Sequence, residues 1–208
     1  MKSTSHAHRT GVHISEVSSA GGYYFPEYPR DIVEDNVAML EDKTILDCGA
    51  GFGNNTKLLL EKTTSKIVAT ETLPEALEKL AELQKDFPGR LVVKDQAVQE
   101  LADIATYDAV ICTMVLHFLP DNLRKSALQK IKAATKVSGL NIISAYIFDE
   151  GLLKYEHFLS GFAPDELKDA YNGWEILGYK EVMPVNPMKG IQHFKSAKIV
   201  TLKNEAES

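Results

Sequence analysis

The chain has 208 residues, 44% of them hydrophobic and 25% charged, with a formal net charge of −6. That is the composition of an ordinary globular protein, long enough for one domain with a substantial core. The negative balance argues against nucleic acid or an anionic membrane as partner. No apolar run reaches transmembrane length, and the polar start with His6, His8 and Arg9 lacks the apolar core of a secretory signal, so a cytoplasmic protein is expected. Cys48 and Cys112 are too few for a disulfide framework and are expected as buried free thiols in a reducing cytosol.

In chain order, residues 1–22 read as a flexible Ser-rich tail. Tyr23, Tyr24, Phe25 and Tyr28 cluster around Pro26 and Pro29, either as plain packing or as an aromatic lid over a ligand. Asp31 is placed to cap a helix in which Val33, Val37 and Leu40 share one face. Ile45 and Leu46 supply a buried strand that runs into Gly49, Gly51 and Gly53, and Leu58, Leu59 and Leu60 begin the helix beyond. Residues 66–71 are a second strand ending in an acid. Pro74 opens a helix to about Asp86, with Leu77, Leu80 and Phe87 on one stripe and the non-capping Leu73 before it; Pro88-Gly89 stops it. Residues 91–93 and 108–112 are the third and fourth strands. Pro120-Asp121 opens a helix with Leu123, Leu128 and Ile131 inward and Lys130, Lys132 and Lys136 toward its end at Ser138-Gly139. Residues 140–147 are the fifth strand. Residues 148–163 show no clear strand, 165–171 are a short helix, and 175–182 and 196–203 form a closing hairpin, with 204–208 a tail. Strands and helices alternate five times from Thr44, which predicts a doubly wound α/β fold: a Rossmann-like, mostly parallel seven-stranded sheet with helices on both faces, as a single domain over residues 23–203.

A strand, a glycine-rich turn and a helix N-terminus make a nucleotide-type cofactor site, because glycines let the backbone approach a ligand closely. A dinucleotide fingerprint would place its third glycine at position 54, where this chain has Asn54. Ligands in open parallel sheets lie across the carboxyl ends of the strands. Glu71, at the end of the second strand, can accept two hydrogen bonds from ribose hydroxyls, in an NAD site as in others.

The stretch Ile45-Leu46-Asp47-Cys48-Gly49-Ala50-Gly51-Phe52-Gly53 resembles the first motif of class I S-adenosylmethionine (SAM) dependent methyltransferases. The resemblance implies SAM as cofactor, with S-adenosylhomocysteine as product, and a loop of Gly49, Ala50, Gly51 and Gly53 around it. Asp47 can be the anion for its ammonium group, and Glu71 with Thr72 would meet the ribose. An acid after the third strand is expected to accept from the adenine amino group while a neighbouring backbone N–H meets a ring nitrogen, which points to Asp95 or Gln96, with Ala97 beside them. Residues 113–120 resemble the segment that lines the methionine half of SAM in small-molecule methyltransferases, implying Thr113 and Val115 as lining positions. His117 is either a proton acceptor for an attacking hydroxyl or amine, or a packed residue at a helix start.

The pattern Phe162, Glu166-Leu167, Tyr171, Gly173-Trp174, Leu177 and Tyr179 resembles the tellurite-resistance branch of these enzymes, as do the Tyr23–Tyr28 cluster and residues 107–119. That branch is expected to hold an oxyanion with basic groups after the sixth strand, where this chain has Met183, Pro184, Val185 and Asn186, so a small organic acceptor is an equal expectation. Cap segments near residues 23–30, 148–163 and 184–193 are expected to build the acceptor pocket, with Tyr24, Tyr28, Tyr146, His157 and His193 as its polar groups. No metal site is expected. The competing readings are a SAM- or nucleotide-binding sensor or partner protein without turnover, and an NAD-dependent oxidoreductase. Asn54 and the lack of any tyrosine followed four positions later by lysine disfavour the oxidoreductase.

Overall fold

Short runs of Ile, Val, Leu and Ala, apolar on both sides, form the middle of a sheet whose two faces are covered. The computed structural model describes residues 30–148, 150, 160–183 and 194–205. Tyr24, Tyr28, His157 and His193 lie outside them, as do most of the expected cap segments. The strands are β1 (Thr44–Cys48), β2 (Lys66–Glu71), β3 (Leu91–Asp95), β4 (Tyr107–Thr113), β5 (Thr135–Tyr146), β6 (Glu175–Val182) and β7 (Ser196–Leu202). They form one seven-stranded sheet in the order β3-β2-β1-β4-β5-β7-β6. The first five are parallel, and β7 runs antiparallel to both β5 and β6. The chain steps outward from β1 to β3 and then returns to β4, so the strand order reverses between β1 and β4 and a cleft opens at their carboxyl ends.

Side-chain alternation along each strand divides the core. Ile45, Ile67, Ala69, Ala109 and Ile111 face one layer with Ile32 and Val33 of α1 (Asp31–Glu34), Leu59 and Leu60 of α2 (Asn54–Lys62) and Leu80 of α3 (Pro74–Asp86). Leu46, Cys48, Val110 and Cys112 face the other, with Ala127, Leu128 and Ile131 of α4 (Asp121–Ala134) and Leu167 of α5 (Glu166–Asp169). The expected doubly wound sheet with helices on both faces is therefore the observed fold. Both cysteines are buried free thiols. No helix of the described residues is long and apolar enough to cross a membrane.

Several boundaries differ from expectation, each for a local reason. The helix expected from Asp31 to Leu40 breaks into α1 and a 3₁₀ turn over Val37–Leu40. Between them the Asn36 side chain donates to Ile32 O at 2.8 Å, substituting for a helical backbone bond. Arg30 rather than Asp31 takes the cap position, but the Asp31 carboxylate accepts the Ile32 N–H in the first turn (2.8 Å) as well as Lys198 Nζ from β7. Helix α4 ends at Ala134 rather than at Ser138-Gly139, because β5 begins pairing at once. The β4–β5 register then jumps from Tyr107↔Thr135 to Ala109↔Leu140, with Ser138 at φ +58° in the intervening excursion. Lys136 therefore meets Asp108 at 2.8 Å instead of the helix C-terminus. The crossover from β3 to β4 carries only a 3₁₀ turn, Val98–Glu100, so the fivefold strand–helix alternation is incomplete there.

The turn that follows α5 is tied to β5 by a buried polar chain. Tyr171 Oη donates to Asn141 Oδ1 on β5 (2.9 Å), and Asn141 Nδ2 donates to Thr135 Oγ1 (2.7 Å). All three residues are buried. Tyr171→Phe leaves the amide oxygen unsatisfied, and urea unfolding should register a loss of about 1–3 kcal/mol. A change within error would mean that this polar chain does not stabilise the turn after α5.

Candidate active site

Four strands deliver their last residues to the cleft. β1 ends in Asp47-Cys48 and passes into the glycine loop, which the backbone could not follow with other residues at two points. Gly49 has φ +65°, and a Cβ there would lie 2.5 Å from Val115 Cγ2. Gly53, the residue before α2, has φ +83°, and a Cβ would lie 2.8 Å from Leu80 Cδ2 on α3. The loop is stitched to β2 by Ala50 N–H donating to Thr70 O at 3.0 Å.

Glu71, buried at the end of β2, organises this corner. Its Oε2 accepts the Gly51 N–H (2.8 Å), and its Oε1 accepts the N–H groups of Thr72 (2.7 Å) and Leu73 (3.1 Å). Leu73 occupies the cap position of α3 and offers no polar side chain, so Glu71 satisfies helix-start donors from outside the helix. A carboxylate has about four acceptor positions, so the expected pair of ribose bonds reduces to one unless the loop yields a donor.

Asp47 lies under the loop, 1% exposed, with Thr56 Oγ1 donating to its Oδ2 at 2.7 Å. Burial pushes its carboxyl up to about 6; the Thr56 hydrogen bond opposes the rise and the neighbouring Glu71 charge adds to it. Its neighbour Cys48 and Cys112 of β4 are likewise raised, chiefly by burial, which makes them inert thiols.

Asp95 pairs in register with Glu71 and is exposed at the outer end of the row. The Gln96 N–H donates to Glu71 O (3.0 Å), and the Ala97 N–H donates to Glu100 Oε2 (3.2 Å), so both backbone donors near the expected adenine position already have partners. Thr72, Gln96 and Ala97 are half-buried along this edge.

On the β4 side, Thr113 Oγ1 accepts Asn55 Nδ2 (3.0 Å), and Asn55 Oδ1 accepts the backbone N–H of Arg30 (2.8 Å). Asn55, in the first turn of α2, thus joins the glycine-loop helix, the end of β4 and the start of α1. Neither Asn55 nor Arg30 was among the expected site residues; the only sequence signal was an amide just after the glycine loop, where the apolar helical stripe had not begun. Met114 turns at φ +59°, its N–H held by Ser144 O (2.7 Å), and delivers Val115 onto Gly49.

His117 sits in the 3₁₀ turn Leu116–Phe118, 1% exposed. Its ring centroid lies 4.3 Å from that of Phe118 and 4.5 Å from that of Tyr146, at the end of β5. Tyr146 is half-buried, with its phenol raised by burial against the opposing charge of Arg30. Phe194 meets Tyr146 edge-on at 6.0 Å. The structure therefore brings together the three acids, the glycine loop, Thr113 and Val115 on one rim, and His117 with Tyr146 on another. Among the described residues no group of three or more His, Cys, Asp or Glu is placed to hold a metal ion.

A family profile described as tellurite resistance protein TehB matches residues 23–187. The probable S-adenosyl-L-methionine-dependent methyltransferase TehB of Haemophilus influenzae is 26% identical over 151 residues, covering 73% of this chain and 52% of that protein. The chain thus spans about half the length of the TehB relatives it matches. Ribosomal RNA small subunit methyltransferase A of Rhodopseudomonas palustris is 38% identical over 69 residues, 33% of this chain and 22% of that one. The crystal structure of TehB from Haemophilus influenzae superposes with a TM-score of 0.75 at 22% identity, over 87% of this chain and 64% of that one. The 1,6-didemethyltoxoflavin-N1-methyltransferase of Burkholderia thailandensis, solved with 1,6-didemethyltoxoflavin and S-adenosylhomocysteine bound, gives 0.67 at 19% identity, over 85% and 78% of the two chains. These likenesses establish the fold as that of the class I methyltransferases.

Asp47 also has a stability signature. A carboxyl raised from 3.8 to about 6 takes up a proton on folding, so stability falls as pH rises between those values and the penalty is complete above about 6. In the ligand-free protein, Asp47→Asn should raise stability at pH 8 by up to about 3 kcal/mol, at ~1.4 kcal/mol for each tenfold change in proton affinity, and change little near pH 4. Thermal unfolding at the two pH values measures this; an equal effect at both would contradict the buried, raised carboxyl.

Proposed function

The chain belongs to the TehB tellurite-resistance family, and from that premise we propose that it transfers a methyl group from S-adenosylmethionine to a small-molecule acceptor. The observation that carries the reading is the buried Glu71 carboxylate drawing the Gly51 N–H toward β2. It pins the loop to β2 beside the point of strand reversal, where Val115 packs on Gly49 and Thr113 is tied to Asn55. Glycine at 49 keeps the loop backbone tight against Val115, and the acids at the strand ends suit hydroxyls and an ammonium rather than a pyrophosphate.

In this reading Glu71 accepts from a ribose hydroxyl and Asp95 from the adenine amino group. Asp47 offsets the positive charge of the amino-acid half, and a cation beside it holds its carboxyl ionised at pH values where it would otherwise take up a proton. SAM supplies a methyl carbon on a positively charged sulfur, already activated for displacement. The protein then has to align the acceptor behind that carbon and exclude water. Tyr146, half-buried on the opposite rim, is assigned to meet the acceptor. Of the two roles open to His117, proton acceptor or packed residue, a ring 1% exposed and packed on Tyr146 suits the second, and it is assigned to support that phenol. The acceptor class stays at small molecules, because the net charge of −6 gives no field for nucleic acid.

Formation of S-adenosylhomocysteine in a panel of tellurite, selenite, small thiols, amines and phenols tests the function. Turnover with at least one class, reduced tenfold or more in Tyr146→Phe, is expected; tight SAM binding without any turnover would favour the sensor reading. Glu71→Gln should weaken SAM by on the order of 1–3 kcal/mol in calorimetry and lower the melting temperature, since the amide cannot accept all three backbone donors. Unchanged affinity would remove Glu71 from the ribose.

A further inference from the structure

Arg124 projects from the first turn of α4 and is 2% exposed. Its Nη2 donates to Glu166 Oε1 (3.1 Å) and Oε2 (3.4 Å) and to Asp121, and its guanidinium carbon lies 4.1 Å from the centre of the Phe162 ring. Its Nε and Nη1 are buried with no hydrogen-bond partner among the described residues. Even a paired buried charge is a weak stabiliser, and an apolar side chain of similar volume is often as good or better. What a guanidinium supplies that an apolar group cannot is direction: an Nη2 that donates to Glu166 and Asp121 while the flat face lies on Phe162.

Both partners belong to the segment 160–166, which fastens two parts of the acceptor rim. The Ser160 N–H donates to His117 O (3.2 Å), and Ser160 Oγ donates to Leu119 O (2.7 Å). The Phe162 N–H donates to Tyr146 O (3.0 Å), and Phe162 O accepts the Phe148 N–H (2.7 Å). Gly161 passes so close to β5 that a Cβ on it would lie 2.7 Å from the Phe148 backbone. At the far end, Glu166 Oε2 also accepts the Ala163 N–H (2.7 Å), which turns the carboxylate back toward Arg124. The 3₁₀ turn carrying His117 and the strand end carrying Tyr146 thus have one strap in common, and Arg124 grips it at Phe162 and Glu166.

We propose that Arg124 is a positioning residue for the acceptor rim: by clamping residues 160–166 it fixes the backbone under His117 and Tyr146 and so sets the 4.5 Å contact between their rings. The proposal rests on the reading that Tyr146 meets the methyl acceptor. The contacts recorded for the Arg124 side chain go to Asp121, Glu166 and Phe162 rather than to the glycine loop or the strand-end acids, so its loss should leave SAM binding intact.

The test uses Arg124→Met, which keeps the aliphatic bulk against Phe162 and removes the guanidinium. Glu166→Gln keeps an acceptor for Ala163 and removes the charge, and carries the test if the first variant does not fold. Lys125→Met, which breaks an exposed pair with the same Asp121 (2.9 Å), is the control. The histidine Cε1–H resonance of His117, assigned with His117→Gln, senses the rings of Tyr146 and Phe118 and needs no turnover. It should shift in Arg124→Met and Glu166→Gln and stay in place in Lys125→Met, while SAM affinity stays within twofold in all three. With an acceptor in hand that the protein methylates, kcat should fall tenfold or more in the first two, and Arg124→Lys should restore little because an ammonium has no planar face to lie on Phe162 while it donates to Glu166. An unmoved His117 resonance in both variants overturns the proposal, as does a shifted resonance with unchanged kcat. Shifted resonances in a protein that binds SAM and methylates nothing would sink the methyl-transfer reading and leave the clamp standing.

Discussion

The corner of the structure on which the rest depends is the Glu71 carboxylate and the three backbone N–H groups it collects. One oxygen draws in Gly51 from the loop after β1, and the other holds Thr72 and Leu73 at the entry to α3. A single side chain therefore joins the first crossover to the second. It also places a negative charge in a buried corner beside Asp47, whose own carboxyl is pushed up to about 6 mainly by burial and in part by that charge. Two close carboxylates disfavour the empty protein and favour a cation between them. The stability lost at Asp47 and the affinity expected for a positively charged cofactor are two faces of one arrangement.

The sheet explains why these groups can converge. Parallel strands send all their carboxyl ends to one edge, and the reversal between β1 and β4 leaves the edge open there. β1, β2 and β3 supply the acids; β4 supplies Thr113 and the turn that presses Val115 onto Gly49. The opposite rim is built differently. It comes from the end of β5, the 3₁₀ turn after β4 and the strap that returns from residue 160, so its geometry rests on long-range backbone bonds rather than on strand register. That division separates the rim proposed for the cofactor, set by strand register, from the rim proposed for the acceptor, set by long-range backbone bonds.

Much of the cofactor side was legible because its signals are local. A strand ending in Asp47, glycines at alternate positions and an acid closing the next strand can each be read from a few adjacent residues. The roles were less legible. Nothing near Glu71 in sequence announces that Gly51, twenty residues earlier, donates to it. Asn55 is an unremarked amide until Thr113 and Arg30 arrive at its two ends. The end of α4 was misplaced because Lys130, Lys132 and Lys136 suit a helix C-terminus equally well in either register, whereas Tyr107 of β4 claims Thr135 as a strand partner. The break after α1 is set by one competing side-chain bond, from Asn36, that propensity does not weigh. Nothing in the sequence around Arg124 sets it apart from other helix charges, because its burial follows from Phe162 and Glu166, which are distant in the chain.

The most direct test of the account is an equilibrium titration of the ligand-free protein with S-adenosylhomocysteine and, separately, with NAD. The corner built on Glu71 and Asp47 predicts one site per chain for S-adenosylhomocysteine, in the micromolar range, and no competition from NAD. Preferential binding of NAD, or no binding of S-adenosylhomocysteine at millimolar concentration, would contradict it.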